Sequence, residues 1–116
     1  MGLFSERRRR LVDAAFATFG DAAEWSHLVE EQAQWVVEPV TVRCREQDQD
    51  DRFGAVSIIR RSIIIRVRSW EVEMPEGDQV VDIADGRWAG SYVITAKPML
   101  DKSGVWECPA NRQDII

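Results

Sequence analysis

Apolar positions recur along this chain in two rhythms, and the change between them falls at Gly20. Before it, Leu11, Val12, Ala15, Phe16 and Phe19 sit at helical spacing, which predicts an amphipathic helix over about 5–19. Ser5 is placed to cap its start and Gly20 to stop it. After Gly20, short runs rich in Val, Ile and aromatic residues alternate with clusters of Gly, Asp, Pro and Ser. That texture predicts a mainly β chain, a small antiparallel β-barrel or sandwich over about 22–110, preceded by one N-terminal α-helix.

The runs differ in clarity. "AEWSHLV" is a weak first strand, whereas "VTVRCR" alternates cleanly, with Val40, Val42 and Cys44 on one face and Thr41, Arg43 and Arg45 on the other. Glu46 to Gly54 has almost no apolar content and ends at Gly, so a mobile loop between strands is expected there. "AVSIIRRSIIIRVRSW" reads either as two strands reversing near Arg61 or as one bent strand. In its second half Ile63, Ile65 and Val67 face the core and Ile64, Arg66 and Arg68 face away, where the arginines can pair with Glu71 or Glu73. Pro75 and Gly77-Asp78 are expected to reverse the chain, making Ser62 to Ile83 a hairpin. An Asp85-Gly86 turn, a strand around Tyr92 to Thr95, and "DKSG" leading into "VWECP" follow, before a polar tail at about 111–116.

A length of 116 residues supports one domain spanning 1–116. With 45% hydrophobic and 30% charged residues the composition is that of a soluble globular protein. The net charge of −5 argues against a simple nucleic-acid binder, which needs a clustered basic surface. Among the cations, 13 are Arg and 2 are Lys, a bias towards planar multi-donor contacts at protein interfaces. The two cysteines, Cys44 and Cys108, sit in separate apolar alternations and are expected to be reduced thiols. Asp13 interrupts an already short apolar run, Ser5 comes one position too early for a myristoylation signal, and no apolar run is long enough to span a bilayer, so no secretory signal, lipid anchor or membrane span is expected.

Candidate chemistry is sparse. One histidine, His27, cannot build a triad or a multi-histidine metal site. An EF-hand loop counted from Asp48 would need Gly where Phe53 stands and Glu where Ile59 stands. No Gly-rich stretch sits between a strand and a helix, and Asp50/Asp51 have no apolar pocket to tune them. No catalytic, cofactor or metal site is expected, and the chain is read as a non-enzyme. Contact is the better reading: Trp25, Trp35, Trp70, Trp88 and Trp106 exceed what a small core buries, so some lie at a rim. Arg7, Arg8, Arg9 and Arg10 occupy a first helical turn where the macrodipole disfavours cations. Together with Asp48, Asp50, Asp51, Arg52, Phe53, Arg66 and Arg68 they are the candidate interface residues.

The order of parts carries a resemblance. A helix containing "LVDAAFATFGDAAEW" precedes "VTVRCR", a polar stretch and "SIIIRVRSWEV". A charged stretch from Glu71 to Glu76, Gly77-Asp78 opening the next strand, the aromatic-Val strand at Tyr92-Val93 and the turn at Asp101 to Gly104 follow. In this order they resemble the lambda-type phage head-tail joining proteins, also described as tail-attachment or head-tail connector proteins and found in prophages and gene-transfer-like particles.

The resemblance implies a structural subunit. Copies would assemble as a ring, commonly a hexamer, at the portal-tail junction and offer the tail its docking surface. Its partners would be itself, a portal or head-completion protein, and a tail terminator or tail-tube protein. DNA would pass through the ring without specific binding, and an acidic channel wall would let it slide. The location would be the virion, reached from the host cytoplasm, with no membrane and no cofactor. The alternative from the residues alone is an OB-like barrel binding module, contacting nucleic acid through Trp stacking and Arg66/Arg68, or another protein.

Overall fold

The computed structural model describes residues 3–29, 33–53 and 56–113, with side chains described at 6–29, 33–46 and 63–113. Helix α1 runs Leu3–Phe19, starting before Ser5, which therefore lies inside the helix and does not cap it. Gly20 N donates to Phe16 O at 2.8 Å and closes the last turn. A glycine is needed there for room: a Cβ would come within 2.4 Å of Phe16 O and 2.5 Å of Thr41 Cγ2.

Seven strands follow: β1 (Asp21–Val29), β2 (Gln34–Phe53), β3 (Val56–Arg68), β4 (Val80–Ile83), β5 (Gly90–Ile94), β6 (Met99–Leu100) and β7 (Val105–Arg112). They pair antiparallel in the order β3-β2-β1-β4-β5-β7, and β3 also pairs with β7. Six strands thus close into a barrel, with β6 added beside β7. Closure gives each of the six a partner on both sides within the barrel.

The core is the inner face of that ring. Each strand contributes residues two apart, as the strand period requires: Ala23 and Trp25, Val40 and Val42, Ile65 and Val67, Val81 and Ile83, Tyr92 and Ile94, Cys108 and Ala110, all buried. The two largest fully buried side chains, Trp25 and Tyr92, have their polar tips satisfied. Trp25 Nε1 donates to Gln79 Oε1 at 2.9 Å, and Tyr92 OH donates to Trp88 O at 2.7 Å. Gly86 (φ 89°) and Gly104 (φ 84°) take left-handed conformations at the reversals before β5 and β7.

The structure also departs from the sequence-based expectation in the strands. Glu46 to Phe53 is not a loop but the far half of β2, paired with β3 from Glu46↔Ile63 to Phe53↔Val56. Ladder hydrogen bonds are made by backbone, so a polar run can extend a hairpin as a ribbon beyond the barrel. β3 is accordingly one strand with no reversal at Arg61. Ser62 to Ile83 is also not a hairpin. β3 pairs with β2 and β7, while β4 pairs with β1 and β5. After Arg68 the chain turns, with Glu71 N and Val72 N both donating to Arg68 O, and crosses the barrel end before Asp78 N reaches Ile94 O.

Candidate assembly surfaces

Strand alternation sends Arg43, Arg66 and Glu107 to the outside on one rung of β2, β3 and β7. Against this outer face α1 buries Phe16, which is 2% exposed. Arg68 joins helix to barrel. Its Nη1 donates to Asp13 Oδ1 at 2.7 Å, its Nη2 donates to Glu71 Oε1, and its guanidinium lies 4.9 Å from the Phe16 ring centroid. Asp13 Oδ1 also accepts from Trp70 Nε1 at 2.9 Å, and Glu71 Oε2 accepts from Thr41 N at 3.1 Å. Such charge-assisted bonds, half shielded from water, fix where the helix lies.

Arg66 is committed in the same way. Its Nη2 donates to Asp101 Oδ2 at 3.1 Å and its Nε is 3.6 Å from Glu107 Oε1. Asp101 holds the turn before β7, its Oδ1 accepting from Ser103 N, Ser103 Oγ and Val105 N at 2.8–3.0 Å. Burial opposes ionisation of this carboxyl, but those bonds from Val105 and Ser103, with Arg66, outweigh it and hold its pKa below the ordinary value. The expected pairing of Arg68 with Glu71 is present; Arg66 pairs with Asp101 and Glu107, and Glu73 is exposed. Both arginines act within the chain, so little of either is offered to a ligand.

The run Arg7 to Arg10 is divided. Arg8 Nη1 donates to Lys102 O at 2.9 Å, and the Arg9 guanidinium lies 4.8 Å from the Trp70 ring centroid. Because α1 starts at Leu3, the run lies beyond the first turn and escapes the unfavourable dipole position expected for a helix starting near Ser5. Arg7 and Arg10 are exposed without a partner among the described residues. The side chains of Asp48, Asp50, Asp51, Arg52 and Phe53 lie outside those described, although their backbone places them together on the β2–β3 ribbon.

Tryptophan exposure is uneven. Trp25 is buried, Trp70, Trp88 and Trp106 are half-buried, and Trp35 is 51% exposed. Trp70 and Trp88 lie under Arg9 and Arg87, which uses the faces that would stack bases. Trp35 stands opposite Leu28, and Val37 opposite Ser26, on the outer face of the β1–β2 hairpin. Leu28 and Val37 are themselves exposed, so the three form an apolar patch. In the sequence Trp35 stands out only as one of five tryptophans. The unbroken run Trp35-Val36-Val37 was the available signal, because a strand apolar on both faces expects a neighbour on each.

Two openings lie at the end of the barrel where β4 begins. A cavity of about 640 Å³ is lined by Trp25, His27, Glu38, Glu73 and Gln79. A groove of about 550 Å³ separates the Met74-Pro75-Glu76-Gly77 segment from Thr95 to Pro98, with Trp106 at its base. Among the described residues no group of three or more His, Cys, Asp or Glu side chains is placed to hold a metal ion. No helix among them is long and apolar enough to cross a membrane. Cys44 and Cys108 are free, and burial, with Asp21 near the first and Glu107 near the second, pushes both thiols up to about 12.

A search among curated proteins gives no match. A family model described as Phage Head-Tail Attachment protein matches residues 4–110, from the second residue of α1 to the Ala110 that closes β7 against β3 and β5. With nearly the whole of the helix and barrel inside that match, the chain belongs to the Phage Head-Tail Attachment protein family, whose role is structural, in joining phage heads to tails.

Proposed function

We propose that the chain is the subunit of a ring at the portal-tail junction, and that this ring offers the docking surface for the tail. The family match over residues 4–110 carries this reading. The physical features are in keeping with it. A barrel whose hydrogen bonds are closed on themselves is a rigid block, and such blocks build rings through surfaces that differ on their two sides. The exposed Arg7 and Arg10 and the β2–β3 ribbon project from the block and are suited to contacts with a portal or head-completion protein and with a tail terminator or tail-tube protein.

DNA passes through such a ring, and the net charge of −5 favours a channel wall along which it slides without specific binding. The test is electron microscopy of filled, tail-less heads incubated with the purified protein. Added ring density beneath the portal, with an acidic inner wall once the barrel is fitted, is the expected result. Heads unchanged by the protein at saturating concentration, or protein bound along their sides, would overturn the proposal.

A further inference from the structure

The apolar patch and the apolar groove lie across the barrel from one another. Around the closed sheet the order is β1, β4, β5, β7, β3, β2, so β1 stands three strands from β7 and β2 three strands from β5. The patch of Leu28, Trp35 and Val37 is on the β1–β2 hairpin, and the groove opens where the chain leaves β5 and returns as β6 beside β7. Both lie at the same end. Ser26 pairs with Val80 and Val80 with Val93, so the patch extends past the start of β4 as the groove residues extend past the end of β5.

Their chemistry is complementary. The patch is open to water, led by Trp35, an indole half exposed, and Glu24 borders it on the outer face of β1. The groove is lined by Met74, Pro75, Pro98 and Trp106, with Lys97 exposed on its rim and Met99 and Leu100 exposed just beyond it. An exposed tryptophan and a preformed apolar groove are the usual anchor and pocket of an interface. Because the two surfaces differ and stand across the barrel from one another, one copy cannot satisfy both with a single partner, as a two-fold dimer would.

We infer that the Leu28/Trp35/Val37 patch of one copy seats in the Met74–Pro98/Trp106 groove of the next copy, with Glu24 beside Lys97, and that this is the contact that closes the ring. The inference rests on the ring reading proposed above. It adds the partner, a second copy of this chain, and the two surfaces used. Patch and groove at one end of the barrel allow successive copies to be related by rotation, which closes a ring, where a displacement along the barrel would build a filament.

Engineered thiols on filled heads carrying the protein test it. Val37→Cys and Ala96→Cys replace exposed residues on the patch and at the groove. The double variant should crosslink under mild oxidant into a ladder of multimers, and the two single variants mixed should give dimers, with each single variant alone at least tenfold lower in dimer. Dimers from Val37→Cys alone would mean patch against patch and would overturn the inference. Rings seen by electron microscopy without the mixed crosslink would overturn it while leaving the ring reading standing. Absence of rings from heads with unaltered protein would overturn both. Trp35→Ser should lower ring occupancy on heads at least tenfold with the melting temperature of the free protein unchanged, and unaltered occupancy would count against the inference.

Discussion

Replacing Phe16 by Ala tests how the helix is held. Phe16 is 2% exposed, and its ring lies 4.9 Å from the Arg68 guanidinium and 6.0 Å from that of Arg43. Truncating a buried Phe costs about 3–5 kcal/mol, and each lost cation-ring contact adds about 0.5–1 kcal/mol at a partly exposed site. The junction is open to water along the helix, so the lower figure applies, a loss of about 3 kcal/mol, or on the order of a hundredfold in the docking equilibrium. At 17 residues α1 is marginal as an isolated helix and unfolds when released. Amide hydrogen exchange read by mass spectrometry should therefore show the α1 amides speeding up on the order of a hundredfold, with those of β1 and β5 changed by less than about threefold. Equal acceleration of helix and barrel would refute separate docking, and an unchanged α1 would refute the assigned role of Phe16.

Gly20→Ala places a methyl within 2.4 Å of Phe16 O and 2.5 Å of Thr41 Cγ2, and should lower stability in urea by about 1–3 kcal/mol. The two thiols, raised from 9.0 to about 12, stay protonated in the folded chain while the unfolded chain loses its protons above pH 9. Stability should therefore be unaffected below pH 9 and fall between pH 9 and pH 12, by up to about 1.4 kcal/mol per pH unit for each thiol, a slope that Cys108→Ala should reduce. Asp101 works in the opposite direction: its lowered pKa contributes stability above the ordinary carboxylate value that is lost as pH falls through the folded value. Asp101→Asn should flatten the acid limb of a pH-stability curve and cost about 1–3 kcal/mol at neutral pH, measured by thermal melting.

Elements with strict periodicity were legible in the sequence. Phe16 and the alternation of Val40, Val42 and Cys44 announce a buried face, and the structure buries Phe16, Val40 and Val42 and half-buries Cys44. Leu11 and Phe19 of the expected helix face are instead 73% and 68% exposed, because the helix meets the barrel only along the line of Phe16. The polar run after Arg45 was misread because strand pairing there rests on backbone bonds to β3, which leave no mark in side-chain polarity. The supposed hairpin at Pro75 failed for a related reason. Turn residues show that a chain bends but not which strand it meets next, and here the closure of β3 on β7 decides the partners. The surroundings of the candidate interface residues were only partly legible. Arg residues stand out by type, yet only coordinates distinguish Arg66 and Arg68, paired with Asp101, Glu107, Asp13 and Glu71, from Arg7 and Arg10, which face outward. The groove beside Trp106 could not be read at all, since Met74 and Pro98 are brought together by topology alone.

Joining itself is the most direct test of the account. Filled heads made without this protein, mixed with separately prepared tails of the same phage, should yield infectious particles only when the purified chain is added, with the titre rising at least a hundredfold and saturating with dose. An unchanged titre, with the same heads and tails rescued by an extract that contains the protein, would contradict the head-tail joining role.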